Sequence, residues 1–239
     1  MILCAKRQNV LAWEEGKPVT VPAQPTIPKG FPHICLCVPH FGAVQLEWVE
    51  STYGPLRFIP QADFAKSHRL ARGILNLDTE RNELVKMALQ DKTVTHIFFL
   101  DTDVVAELDP NQALRMLLQC NCPIASGLYR AKKLKGDYPY AMWMKNPNGI
   151  GYLGIQSWTG NFIKVDVIGF GAVMIQREVF EKVPFPWFEW KEPSPSEDFV
   201  FCEKAVKYGY NISVFTPVAF SHIGSMKVKT DGAVHVLDV

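Results

Sequence analysis

Residues 97–100 read Ile-Phe-Phe-Leu, and the chain then passes through Asp101, Thr102 and Asp103 before returning to Val104 and Val105. The apolar run is a buried strand. An ionised carboxylate without a partner in such surroundings is costly enough that it takes up a proton, pairs with a cation or binds a metal. In extended backbone residues i and i+2 face the same way, so the two carboxylates stand side by side at the end of the strand. Adjacent hard oxygen ligands suit Mg²⁺ or Mn²⁺, and such a cation in turn attracts a diphosphate. The plainer alternative has one aspartate capping a loop and the other solvated.

The strand needs a core around it. At 239 residues, 48% of them hydrophobic, the chain is long enough to bury one. A net charge of +1 gives no electrostatic footprint for nucleic acid, and the longest basic cluster, from Arg130 through Lys132 and Lys133 to Lys135, is local and suits a phosphorylated ligand or solvent. No run reaches the roughly 18 apolar residues of a membrane span, and the first residues carry charge too early for a signal peptide, so cytoplasm is the expected compartment. Six cysteines include two Cys-x-Cys pairs, Cys35/Cys37 and Cys120/Cys122. Structural zinc sites use longer spacers, so buried free thiols are expected.

Alternation of elements places the aspartates. ICLCV reads as a strand halted by Pro39, AVQLEWVEST as a helix, LRFIP as a weaker strand, and TERNELVKMALQ as a helix capped by Asp78 or Thr79. THIFFL is a strand buried on both faces, as in a parallel sheet. LDPNQALRMLLQ starts a helix with Asp109 as cap and Pro110 at its first position, and PIASGLYR is the next strand. Alternation up to about residue 130 predicts a parallel sheet with ligands at the carboxyl ends of its strands. Beyond it, YPYAMWMK, GYLGIQSW, NFIKVDVI and GAVMIQ read as hairpin-like β segments. A helix over 197–208 then follows a Pro- and Trp-rich stretch, with Ser194 or Ser196 as cap and Gly209 as stop, and NISVFTPVAFSHIG closes as a strand.

Taken in order, TERNELVKMAL, THIFFLDTDVV, PIASGLYRAKK, VIGFGAVMIQREVFEKV, SEDFVFCEKAVKYGY and FSHIG resemble the GT-A glycosyltransferases, particularly the family-2-like group. The resemblance runs from about Cys35 to Gly224. It implies a GT-A fold: a Rossmann-like α/β domain spanning 1–239, with a mainly parallel central sheet flanked by helices and a small antiparallel part. A nucleotide-sugar-binding half would cover about 31–130 and an acceptor-binding half about 131–225, leaving 226–239 as a tail.

The resemblance also implies an activity, transfer of a sugar from a UDP- or GDP-sugar to a carbohydrate or other hydroxyl acceptor with Mn²⁺ or Mg²⁺. Carried over, Asp101, Thr102 and Asp103 meet the ribose and the metal, and His222, in FSHIG, is the third metal ligand beside Asp101 and Asp103. A lone histidine is more often structural, but a neutral imidazole completing two carboxylates suits Mn²⁺. Val38, Pro39 and His40 would cradle the nucleobase and ribose, with Arg72 and Arg81 as base or phosphate contacts or else solvated helix charges.

Glu197 and Asp198 sit at a helix N-terminus, where the dipole favours the charged form and simple capping would also suffice. The resemblance makes Asp198 the general base of an inverting transfer and Glu197 the residue that holds the acceptor. Gly169, Phe170 and Gly171 resemble the acceptor-side loop, where glycine permits close approach. Trp187 and Trp190 would stack on sugar faces if they are not core. Two rival readings remain. FFLDTDVV also resembles the nucleophile motif of haloacid-dehalogenase-like phosphatases, which normally lies close to the N-terminus, and a non-catalytic sugar-binding protein on a GT-A fold would need no base.

Overall fold

The computed structural model describes residues 13–14, 17–18, 32–40, 44–53, 66–73, 76–131, 138–223, 226–231 and 234–236. The expected strand LRFIP, Cys4 and most of the Arg130 to Lys135 cluster lie outside them. Strands β1 (Trp13–Glu14) and β2 (Lys17–Pro18) pair with each other. Alternation follows: β3 (His33–Pro39), α1 (Leu46–Tyr53), β4 (Lys66–Arg72), α2 (Leu77–Gln90) and β5 (His96–Leu100). Next come β6 (Val104–Ala106), α3 (Pro110–Gln119) and β7 (Ile124–Leu128). The second half holds β8 (Met142–Lys145), β9 (Tyr152–Gly154), β10 (Phe162–Val165), β11 (Val167–Ile168) and β12 (Ala172–Gln176). It ends with α4 (Arg177–Lys182), α5 (Glu197–Lys207), β13 (Ile212–His222), β14 (Met226–Val228) and β15 (Val234–Val236).

The main sheet runs β4-β3-β5-β12-β7-β13, and β13 continues into β14 and β15. β4, β3, β5, β7 and β13 point one way, while β12 runs antiparallel between β5 and β7. A smaller antiparallel sheet joins β11, β8 and β9. The sheet is mostly parallel and mixed α/β, as expected.

Burial explains the order. Ile97, Phe98, Phe99 and Leu100 are fully buried because helices cover both faces, and their side chains divide between two core clusters, Phe99 with Phe170, Phe188 and Phe201 on one side and Phe98 with Val104, Leu114 and Phe220 on the other. β12 corrects the hairpin reading of GAVMIQ: its buried run 172–175 fills the sheet centre. NFIKVDVI is two strands: β10 pairs with β13 and β11 with β8, and between them the Asp166 carboxylate accepts from the Lys145 amide at 2.7 Å.

Helix starts vary in how local they are. Asp109 accepts from the Gln112 amide at 2.8 Å with Pro110 next in line, as the sequence predicts. α2 begins earlier than expected, with Asn76 at the cap position, so Asp78 and Thr79 lie inside its first turn. The described cysteines are free thiols; Cys35, Cys37 and Cys202 are buried and Cys120 and Cys122 half-buried.

Candidate active site

The sheet order brings distant residues to one edge. Asp101 and Asp103 follow β5, Tyr129 and Arg130 follow β7, Gly169 to Gly171 precede the reversed β12, and His222 ends β13. β6 pairs antiparallel with the end of β13, setting His222 opposite Val104, and the Ile223 amide donates to the Asp103 carbonyl at 2.7 Å. His222 Nε2 therefore lies 3.2 Å from Asp103 Oδ2. Its Nδ1 lies 3.0 Å from the Arg130 carbonyl, which can only accept, so Nδ1 carries the hydrogen. The Nε2 edge then faces the Asp103 carboxylate, and an imidazole nitrogen beside a carboxylate oxygen is a donor set a divalent cation can use.

Asp101 is differently placed. Arg81 Nη2 contacts both its oxygens, at 3.1 and 3.2 Å, while Arg81 Nε reaches Glu197 Oε1 at 3.3 Å and Nη1 the Phe170 carbonyl at 3.4 Å. The guanidinium is 2% exposed and lies 5.3 Å from the Phe99 ring centroid and 5.5 Å from that of Phe170. Burial works against its charge, but Asp101 and then Glu197 outweigh it and hold the group above its ordinary value. Burial pushes the Asp101 carboxyl up, against the pull of Arg81. Arg81 and Glu197 thus answer each other inside the protein, which differs from the expected contacts of Arg81 with a base or phosphate and of Glu197 with an acceptor.

Among the described residues, no three histidine, cysteine, aspartate or glutamate side chains come together to hold a metal. What stands there is a pair, Asp103 with His222, and Asp101 is committed to Arg81. The pair fits a hard cation that takes its other ligands from substrate phosphates and water, the usual habit of Mg²⁺. Thr102 lies half-buried in the turn between the two aspartates.

Asp198 opens α5. The Ser196 hydroxyl and, at 2.9 Å, the Phe199 amide both donate to its Oδ1. Burial, followed by repulsion from Glu197, pushes its carboxyl up to about 6. The helix N-terminus alone would have lowered it, so burial corrects the expectation of a firmly ionised side chain. A value near neutrality is what a general base needs.

The expected acceptor loop has another explanation. The Gly171 amide donates to the Tyr129 hydroxyl at 3.0 Å. A Cβ at Gly169 would come within 2.3 Å of the Tyr129 hydroxyl oxygen, and one at Gly171 within 2.9 Å of Val104 Cγ2. The glycines make room for protein atoms. Phe170 is 1% exposed in the aromatic core, and Trp187 is core too, with its indole N–H shared between the Phe180 and Val183 carbonyls. Trp190 is exposed.

Of Val38, Pro39 and His40, the first two are buried in the sheet and His40 is half-buried at its edge. The His40 amide donates to the Arg72 carbonyl at 3.1 Å, and Gly73 packs so close that a Cβ would meet the His40 carbonyl. Arg72 Nε lies 3.1 Å from the buried Glu80 carboxylate. Reading the sequence alone missed Tyr129, the hydroxyl contact of Ser196, and Asn82, whose side chain grips the backbone of Trp187 and Phe188 at 2.6 to 3.2 Å. Only TERN, four consecutive polar residues in the first turns of a helix that packs on the sheet, signals Asn82.

A mostly parallel sheet with one reversed strand and acidic residues at its carboxyl edge defines a GT-A-type fold. A197 from STIV is similar over 87% of this chain and 95% of its own, with a TM-score of 0.62 and 20% identity. GalNAc-T7, solved with UDP, GalNAc and Mn²⁺, is similar over 82% of this chain with a TM-score of 0.53 and 11% identity, and this chain spans 44% of its length. Likeness at these identities concerns the fold. No protein-family model matches the chain, and no curated protein matches it in sequence. No helix among the described residues is long and apolar enough to cross a membrane.

Proposed function

We propose that the chain is a metal-dependent glycosyltransferase that moves a sugar from a nucleotide-diphosphate-sugar to an acceptor hydroxyl with inversion. The observation that carries this reading is the Arg81 bridge, which ties Asp101 to Glu197 and so sets the Asp103/His222 pair and Asp198 around one edge of the sheet. The GT-A fold and the UDP, GalNAc and Mn²⁺ in GalNAc-T7 support the donor class.

Asp103 and His222 would hold the cation, which when bound offsets charge developing on the leaving diphosphate. Arg81 keeps Asp101 in place beside that pair. Asp198 Oδ2 takes the acceptor proton while Ser196 and the Phe199 amide fix Oδ1. His40 and Arg72, at the ends of β3 and β4, are the candidates for the nucleoside side.

The phosphatase reading requires Asp101 as a nucleophile, and both of its oxygens face Arg81. Hydrolysis of UDP-, GDP- and dTDP-sugars with Mn²⁺, measured on wild type and Asp103→Asn, tests the proposal. Metal-dependent release of a nucleoside diphosphate that the variant loses supports it. Hydrolysis of an aryl phosphate with no cleavage of any sugar nucleotide overturns it.

A further inference from the structure

A groove lies between the β8–β9 hairpin and α5. One hollow of about 510 Å³ is walled by Trp143, Tyr152 and Phe199 and rimmed by Lys145, Ser194 and Glu203. A second of about 410 Å³ continues from the shared Lys145, Tyr152 and Glu203 to Asp166 and Lys207. Each lies within the size range of ligand sites.

We propose that this groove binds a neutral, linear oligosaccharide, the acceptor chain of the transfer, with pyranose faces laid on Trp143 and Tyr152. The assignment rests on the glycosyltransferase reading for the word acceptor, and on the groove's own chemistry for the saccharide. A pyranose has an apolar C–H face and a rim of hydroxyls, and the groove presents the matching halves, aromatic wall and polar edge. The wall is preorganised: the rings of Trp143 and Tyr152 each sit 5.0 Å from Phe199, tilted and edge-on respectively.

The edge is preorganised too. Glu203 accepts from the Tyr152 hydroxyl at 2.6 Å through one oxygen and from the Ser194 hydroxyl at 3.1 Å through the other, so the carboxylate is fixed for further hydroxyl donors. Charge decides between ligand classes. Lys145 and Lys207 balance Asp166 and Glu203, which gives no preference for a polyanion. The groove is near Asp198 along the chain: Phe199 is the residue after it, and Ser194 stands two residues before Ser196, whose hydroxyl donates to Asp198. The stacking residues proposed for the acceptor side are thus Trp143 and Tyr152 in place of Trp187, which is core.

The test is saturation-transfer NMR of the full chain with linear tetrasaccharides of glucose, mannose and N-acetylglucosamine and no sugar nucleotide present. At least one should bind, and Trp143→Ala should weaken it by about tenfold, equivalent to ~1.4 kcal/mol. Lys145→Ala, on the exposed rim, should weaken it by a smaller factor with the fold intact by circular dichroism. If no tetrasaccharide binds, if binding survives both substitutions unchanged, or if only a serine-containing peptide binds, the proposal is overturned. Cleavage of sugar nucleotides by wild type is read separately. Saccharide binding without cleavage sinks the transferase reading alone, and cleavage without saccharide binding sinks the groove alone.

Discussion

Arg81 Nη2 meets both oxygens of Asp101 from 20 residues earlier in the chain, and it does so with a guanidinium that is almost wholly buried. The other edge of the same guanidinium meets Glu197. One cation therefore answers two acids from opposite edges.

Replacing Arg81 by Met keeps much of the volume and leaves Asp101 and Glu197 without their counter-charge. Breaking a buried pair from one side costs about 3 to 5 kcal/mol. Chemical denaturation of Arg81→Met should show a loss of that order, and Arg81→Met with Glu197→Gln should recover part of it, since one uncompensated charge is gone. A single variant as stable as wild type would mean that the bridge contributes nothing.

The Tyr129 hydroxyl and Gly169 should be energetically coupled. Gly169→Ala places a methyl 2.3 Å from that oxygen, and overpacking of this kind costs about 1 to 3 kcal/mol. Tyr129→Phe leaves the Gly171 amide without its acceptor, at about 1 to 3 kcal/mol. The double variant should cost less than the sum, because the missing hydroxyl removes the clash that the methyl creates. A strictly additive cycle in thermal or urea unfolding would contradict the proposed contact.

Metal dependence divides Asp103 from His222. Chelation should abolish turnover, with Mn²⁺ or Mg²⁺ restoring it. Asp103→Asn should lower Mn²⁺ affinity more than His222→Ala, since a hard cation replaces a lost imidazole with water more readily than it replaces a charged oxygen. Calorimetric titration of Mn²⁺ in the presence of UDP reads both. Full turnover in excess chelator would rule out the cation.

What could be read in the sequence was local. Asp109, Pro110 and Gln112 are neighbours and declare the start of α3, and the apolar run 97–100 declares a central strand with carboxylates at its end. β12 was not legible as a sheet-centre strand, because an inserted antiparallel strand has the same apolar run as a hairpin arm and its partners are chosen by tertiary packing. Arg81 looked like a base or phosphate contact or else a solvated helix charge, since its partners lie 20 and 116 positions away. The glycines at 169 and 171 looked like a ligand loop because Tyr129, against which they pack, is 40 residues earlier and carries no motif.

Asp198 joins these contacts to a pH dependence. Its carboxyl titrates near 6, against an ordinary 3.8, because burial and then Glu197 disfavour the charge. Folded protein therefore holds a proton that the unfolded chain has already released between those two values, so the contribution of this group to stability falls as pH rises through that window and is flat above it. Turnover should move the opposite way, low at pH 5, rising through about 6 and level beyond, because only the carboxylate accepts a proton from the sugar hydroxyl. Asp198→Asn should remove both slopes. Transfer should drop by a factor on the order of 10² to 10⁴ while affinity for the sugar nucleotide stays close to wild type, since this carboxylate meets the acceptor and not the diphosphate. A pH–rate profile of the variant that keeps the rise near 6, or a product whose anomeric configuration matches the donor's, would remove Asp198 from the role of base.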